Sequence, residues 1–120
     1  MKHATLLGYW RKAVLASKGA MCYNPECGNP DHSCHHMIKV RYRTTAYRVE
    51  NGVPLCAACH PIADRNPQFA LDMIPQMDYD FIKERAMYNL QEWRRNAGQT
   101  LDEFHASEVD ELKRIIKGER

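Results

Sequence analysis

The chain has 120 residues, of which 27% are charged and 9% aromatic, and a net charge of +2. Such a length suits one domain with a modest core, which would profit from a metal staple. No apolar run is long enough to cross a bilayer. Arg11 and Lys12 interrupt the apolar stretch after Trp10, so no secretory leader is expected. A cytoplasmic, intracellular setting is expected instead, where thiols stay reduced and clustered cysteines favour metal over disulfides. The charge is uneven. Residues 1–60 carry eight Lys/Arg against three Asp/Glu, a net +5, and residues 61–120 carry nine against twelve, a net −3.

Residues 4–18 have helical periodicity, with Leu6, Trp10, Ala13, Val14 and Ser17 on one side and Gly19 as the stop. Residues 22–31 are rich in turn formers, which lets a backbone fold back around a metal. Residues 33–40 read as a short strand whose alternation puts His35 and His36 on opposite faces. Residues 41–48 form a basic, aromatic connection, and Glu50-Asn51-Gly52 is a turn signal. A helix is expected from near Cys56 to about Arg65. Asn66-Pro67 reads as a cap with Pro at the first helical position. Phe69 to Ile74 gives a turn or two, which Pro75 ends. Residues 78–97 are expected to be one helix closed by Gly98, with Phe81, Ile82, Ala86, Leu90 and Trp93 at helical spacing. Thr100-x-x-Glu103 is a capping box and Ser107-x-x-Asp110 a second N-terminal signal, so 100–117 is one helix or two. Strands and helices in this order make an α+β domain over 1–120. It comprises an N-terminal helix (1–19), a central metal-bearing segment (20–66) and a helical C-terminal extension (67–120).

Chemistry concentrates in the middle. Cys22-x4-Cys27 and Cys56-x2-Cys59 are two close pairs of the kind that hold a structural Zn2+ as four thiolates. His32 and Cys34 are alternatives that enter this site in place of Cys22 or Cys27. A closed thiolate shell leaves His35, His36 and His60 without a role in it. Lys39, Arg41, Arg43 and Arg48, interleaved with Tyr42 and Tyr47, are suited to contacting DNA phosphates.

The run Cys34-His35-His36-Met37-Ile38, then Glu50-Asn51-Gly52-Val53-Pro54-Leu55-Cys56-x2-Cys59-His60, with the outlying Cys-x4-Cys pair, resembles the HNH (ββα-metal) endonucleases over roughly residues 20–65. The resemblance implies a ββα core and metal-dependent hydrolysis of DNA, leaving 5′-phosphate and 3′-hydroxyl ends. It makes His36 the general base, Asn51 the residue that fixes the loop and orients that base, and His35 and His60 ligands of a catalytic divalent ion. Asp64 shares a helical face with His60 and is a further candidate ligand. Such a set suits Mg2+, Mn2+, Ni2+ or Zn2+. The layout is also similar, more loosely, to phage NinG-type recombination nucleases, which implies a phage-encoded role in DNA recombination or processing. Two readings compete. One is a non-catalytic zinc module that binds DNA or protein. The other is an assembly protein whose C-terminal helices form a homodimer.

Overall fold

Helix α1, His3–Lys18, turns Leu6, Trp10, Ala13 and Val14 inward, while Ser17 stays exposed. The structure, a computed structural model, describes residues 2–30 and 32–118. A cysteine-bearing turn segment follows, then strand β1 (Ser33–His36), a loop, a 3₁₀ turn (Val49–Asn51) and strand β2 (Gly52–Leu55). The strands pair antiparallel, with Ser33 opposite Leu55, His35 opposite Val53 and His36 opposite Gly52. Five helices complete the chain: α2 (Cys59–Arg65), α3 (Pro67–Leu71), α4 (Gln76–Arg85), α5 (Leu90–Ala97) and α6 (Leu101–Ile116). No helix among the described residues is long and apolar enough to cross a membrane.

The apolar residues form two clusters. In the first, Leu6, Trp10 and Val14 of α1 meet Phe104, Val109, Leu112 and Ile115 of α6, with Ala46, Tyr47 and Val49 between them. In the second, Val53 and Leu55 of β2 meet Cys22, Cys56, Cys59, Ala63, Ala70 and Ile74. The hairpin joins them because α1 lies directly on Gly52. A Cβ at that position would come within 2.4 Å of Val14 Cγ2 and 2.7 Å of the Trp10 ring. Glycine is required there for close approach, not for an unusual backbone angle.

Two expectations need correction. Strand β1 ends at His36 instead of running to residue 40. Its continuation is taken over by the buried Asn51 side chain, which accepts from Ile38 N–H at 2.7 Å and donates to Ile38 C=O at 2.9 Å. Residues 78–97 are two helices, not one. The chain breaks at residues 86–89, and the Asn89 side chain caps α5 by accepting from Glu92 N–H at 2.9 Å. Asn66 is the N-cap position of α3 with Pro67 at its first position, as expected, and its side chain makes no capping bond. Of the two arrangements open for residues 100–117 the structure has one helix: Ser107 and Asp110 lie inside α6, which runs unbroken from the capping box of Thr100 and Glu103.

Candidate metal centre and catalytic site

The turn at Cys22–Cys27 and the start of α2 bring the four cysteines together. Their Sγ atoms all lie within 4.8 Å of one another, and Cys27 and Cys56 are 3.5 Å apart. Tetrahedral thiolates at about 2.3 Å from zinc stand about 3.8 Å from each other, so the cluster has the size that one such ion demands. His32 and Cys34 are outside it. Backbone N–H groups shape the site: the Cys59 amide beside Cys56 holds that thiol low, at about 6. Cys59 receives a bond from Asn24 Nδ2, yet burial and the neighbouring thiols push it up to about 12. Four thiolates cannot coexist at this spacing without a cation to neutralise them. Cys22, Cys27, Cys56 and Cys59 therefore form a site that fits a metal ion such as zinc.

A second cluster lies between β1 and α2. Alternation along β1 sends Ser33 and His35 toward α2 and sends Cys34 and His36 toward α1. The His35 and His60 rings meet edge to face, with centroids 5.0 Å apart. Asp64, one turn after His60 on α2, places Oδ1 3.4 Å from His35 Nδ1 and 3.8 Å from His60 Nε2. One ligand atom from each of these three residues falls within 4.8 Å of the others. Burial, and then the neighbouring His60, lower the pKa of His35 against the opposing pull of Asp64. His35 is thereby held neutral, the state in which an imidazole binds a metal. On the outer side, His60 Nδ1 meets Ser33 Oγ at 2.6 Å.

His36 occupies the other face. Its ring stacks on Trp10 with centroids 3.7 Å apart and planes 12° from parallel. His36 Nε2 donates to the Ala46 carbonyl at 2.9 Å. That bond leaves Nδ1 as the lone-pair nitrogen. Burial is the main cause that pushes His36 down to about 4, so it is neutral at pH 7. Asn51 fixes the loop that supplies the carbonyl, since its Nδ2 also donates to Thr45 C=O at 3.2 Å, next to Ala46. Trp10 is anchored in turn by its indole N–H, which donates to Arg48 C=O at 2.9 Å.

The basic segment divides. Lys39 and Arg41 are exposed, with Arg41 lying over the Tyr42 ring at 5.0 Å. Arg43 is partly spent inside the fold, donating to Val40 C=O at 2.8 Å and to His3 Nε2 at 3.1 Å. Arg48 is removed from the phosphate-contact set. Its side chain is 13% exposed and pairs with Glu50 at 3.1 Å and Glu108 at 3.4 Å. A buried guanidinium held by two carboxylates has no free fork for DNA.

Ser33, Trp10 and Ala46 escaped the motif reading. Ser33 carried a signal, since it stands two residues before His35 and so shares its face. Trp10 and Ala46 carried none, because their roles depend on how the loop and α1 pack. A hollow of about 480 Å³ lies elsewhere, lined by Phe81, Arg85, Tyr88 and Trp93 among others, and contains none of the clustered cysteines or histidines. Comparison with family models, with curated proteins and with solved structures gave no match.

Proposed function

We propose that this chain is a metal-dependent DNA endonuclease of HNH type, whose zinc-stapled ββα core is residues 20–66. The observation that carries the reading is the pairing of a His35–His60–Asp64 cluster with an adjacent histidine, His36, whose free nitrogen is set by a fixed carbonyl. Two imidazole nitrogens and one carboxylate oxygen fit a divalent transition ion and leave coordination positions open. An ion bound there supplies charge stabilisation to the phosphoryl oxygens and the departing 3′ oxygen. Among the described residues β1 pairs only with β2, so its other edge has no strand partner. A phosphodiester lying along that edge is reached from one face by the ion ligands and from the other by His36.

His36 Nδ1 takes a proton from the attacking water. The ordinary weakness of so depressed an imidazole is relieved by the anionic phosphate beside it, which favours the protonated form. Asn51 acts through the loop, holding Thr45 and with it the Ala46 carbonyl. Lys39 and Arg41 supply phosphate contacts without reading sequence.

The test is nicking of supercoiled plasmid and of a branched duplex by zinc-loaded, dialysed protein with Mg2+, Mn2+, Ni2+ or added Zn2+. Cutting that depends on the added ion is expected, with at least about a hundredfold loss in His36→Ala. Folding and zinc content should persist in that variant. DNA binding without cutting under every ion would overturn the nuclease and favour a non-catalytic zinc module. One observation does favour that second reading: the stack on Trp10 gives His36 a packing role that needs no catalysis.

A further inference from the structure

We infer that Ser33 is a positioning residue for the second ion: it holds the His60 ring in the rotamer that turns Nε2 toward Asp64. This rests on the ion-binding reading of the cluster given above. An imidazole that gives its Nε2 lone pair to a cation must carry its proton on Nδ1. That N–H needs an acceptor, and the atom beside it is Ser33 Oγ at 2.6 Å. A hydroxyl suits the site because it accepts the Nδ1 proton when the ion is bound and donates to Nδ1 when it is not. In the second case the ring proton moves to Nε2, which faces Asp64 at 3.8 Å. The ring keeps its orientation in both states, so loading costs no rotamer search.

Position supports the same role. Ser33 opens β1 and is paired with Leu55, the residue before Cys56 of the thiolate site. His60 is the residue after Cys59 of that site. The hydroxyl and the imidazole it orients are therefore both pinned by backbone next to the cysteine cluster. His35 stands two residues along the same strand face. The thiolate staple, Ser33 and the three candidate ligands form one continuous construction, in which Ser33 is the contact between strand and helix.

Partners behind a metal-ligating histidine typically contribute about 10- to 100-fold in metal affinity. Ser33 is exposed, so water replaces part of the lost bond, and the lower end, about tenfold, is expected. The experiment titrates Mn2+ into full-length protein with its thiolate site filled by zinc, reading free Mn2+ by electron paramagnetic resonance. Ser33→Ala should weaken Mn2+ binding about tenfold, and Ser33→Thr should restore it. In Ser33→Ala, DNA nicking should return toward wild type as Mn2+ is raised to saturation. A merely structural serine would lower the unfolding midpoint and leave the Mn2+ isotherm unchanged. Equal affinity in wild type and Ser33→Ala, with His60→Ala still abolishing binding, overturns the role of Ser33 and leaves the ion site standing. Wild-type protein that binds no Mn2+, or binds it unaltered by His35→Ala and His60→Ala, overturns both.

Discussion

At the residue scale, His36 and Asn51 show how strongly packing sets the chemistry of a group. An unfolded histidine titrates near about 6.5, whereas burial holds folded His36 down at about 4. The sign follows from which state takes the proton first. Above pH 6.5 neither does, and the neutral ring contributes its full stability. As pH falls from about 6.5 toward 4 the unfolded chain is protonated and the fold is not, so that contribution, up to about 3 kcal/mol, is lost. His36→Gln removes this titration. Urea unfolding of zinc-loaded wild type and variant should therefore give a stability gap that shrinks from pH 7 to pH 4.5. The acid sensitivity of the thiolate site is common to both proteins and cancels. A gap that stays constant across this range would mean that His36 is not held neutral by burial. Asn51 makes a separate claim. Its side chain satisfies Ile38 N–H, Ile38 C=O and Thr45 C=O, and it is wholly buried. Asn51→Ala leaves these groups without partners and should cost about 3 kcal/mol, read from the denaturation midpoint. The cysteine spacing and the four-residue step from His60 to Asp64 made most of the candidate site legible in the sequence, because ligands close in sequence constrain one another. Ser33 was half-legible through strand alternation. The burial of Arg48 was not, because its partner Glu108 lies sixty residues away and on another element.

At the element scale, the hairpin and α1 form the unit that sets the surroundings of His36. The residue opposite His36 is Gly52, and the absence of a side chain there lets Val14 and the Trp10 indole lie on the strand. Trp10 then stacks on His36. Gly52→Ala forces a methyl group to within 2.4 Å of Val14 and 2.7 Å of Trp10. One of them must move, at a cost of about 1–3 kcal/mol. The expected result is a lower unfolding midpoint together with red-shifted, less structured tryptophan fluorescence; an unchanged spectrum and midpoint would show that α1 does not sit tightly on the hairpin. The elements themselves divide by what determines them. Helix α1 and the capping box of α6 were plain in the sequence because amphipathic spacing and caps are local. The break between α4 and α5 was hidden. The apolar spacing of Phe81, Ile82, Ala86, Leu90 and Trp93 runs through it, but Asn89 prefers to cap. Tertiary bonds also hold the end of α4: Arg85 donates to Thr44 C=O, and Thr44 Oγ1 donates to Tyr88 C=O at 3.2 Å. Those bonds tie the kink to the loop that carries Ala46. Phe81 is left 39% exposed, so the helical spacing that included it did not mark a core face.

At the scale of the whole molecule, the two apolar clusters are unequal in what holds them. The α1–α6 cluster includes Trp10, Phe104, Leu6, Leu112 and Ile115, large side chains that exclude water without further help. Beside it, Glu108 of α6 gathers Arg48 and Arg85, while Arg48 also pairs with Glu50. Desolvation pushes Glu108 up against the pull of both arginines, so the network is costly to bury and costlier to break. Glu108→Ala, which removes the carboxylate paired with Arg85, should therefore destabilise by about 3–5 kcal/mol. The cysteine-side cluster is different. Its core of Cys22, Val53, Leu55, Cys56, Cys59, Ala63, Ala70 and Ile74 contains no large aromatic among its buried members. Much of it is short helix, seven residues in α2 and five in α3, lengths that are not stable by themselves. An ion on the four cysteines would close this half, because it would join the turn that carries Cys22 and Cys27 to the start of α2. Removal of zinc with a strong chelator should thus open the molecule unevenly. Amide exchange in residues 52–74 should accelerate by at least about a hundredfold, while the centres of α1 and α6 keep most of their protection. His35, His60 and Asp64 would lose their common geometry in the same step, so a divalent ion bound by them in the proposed way would be released although none of its ligands is a thiolate. Exchange that accelerates equally in α1, α6 and α2 would show instead that the thiolate ion holds the entire fold and that the two clusters open as one.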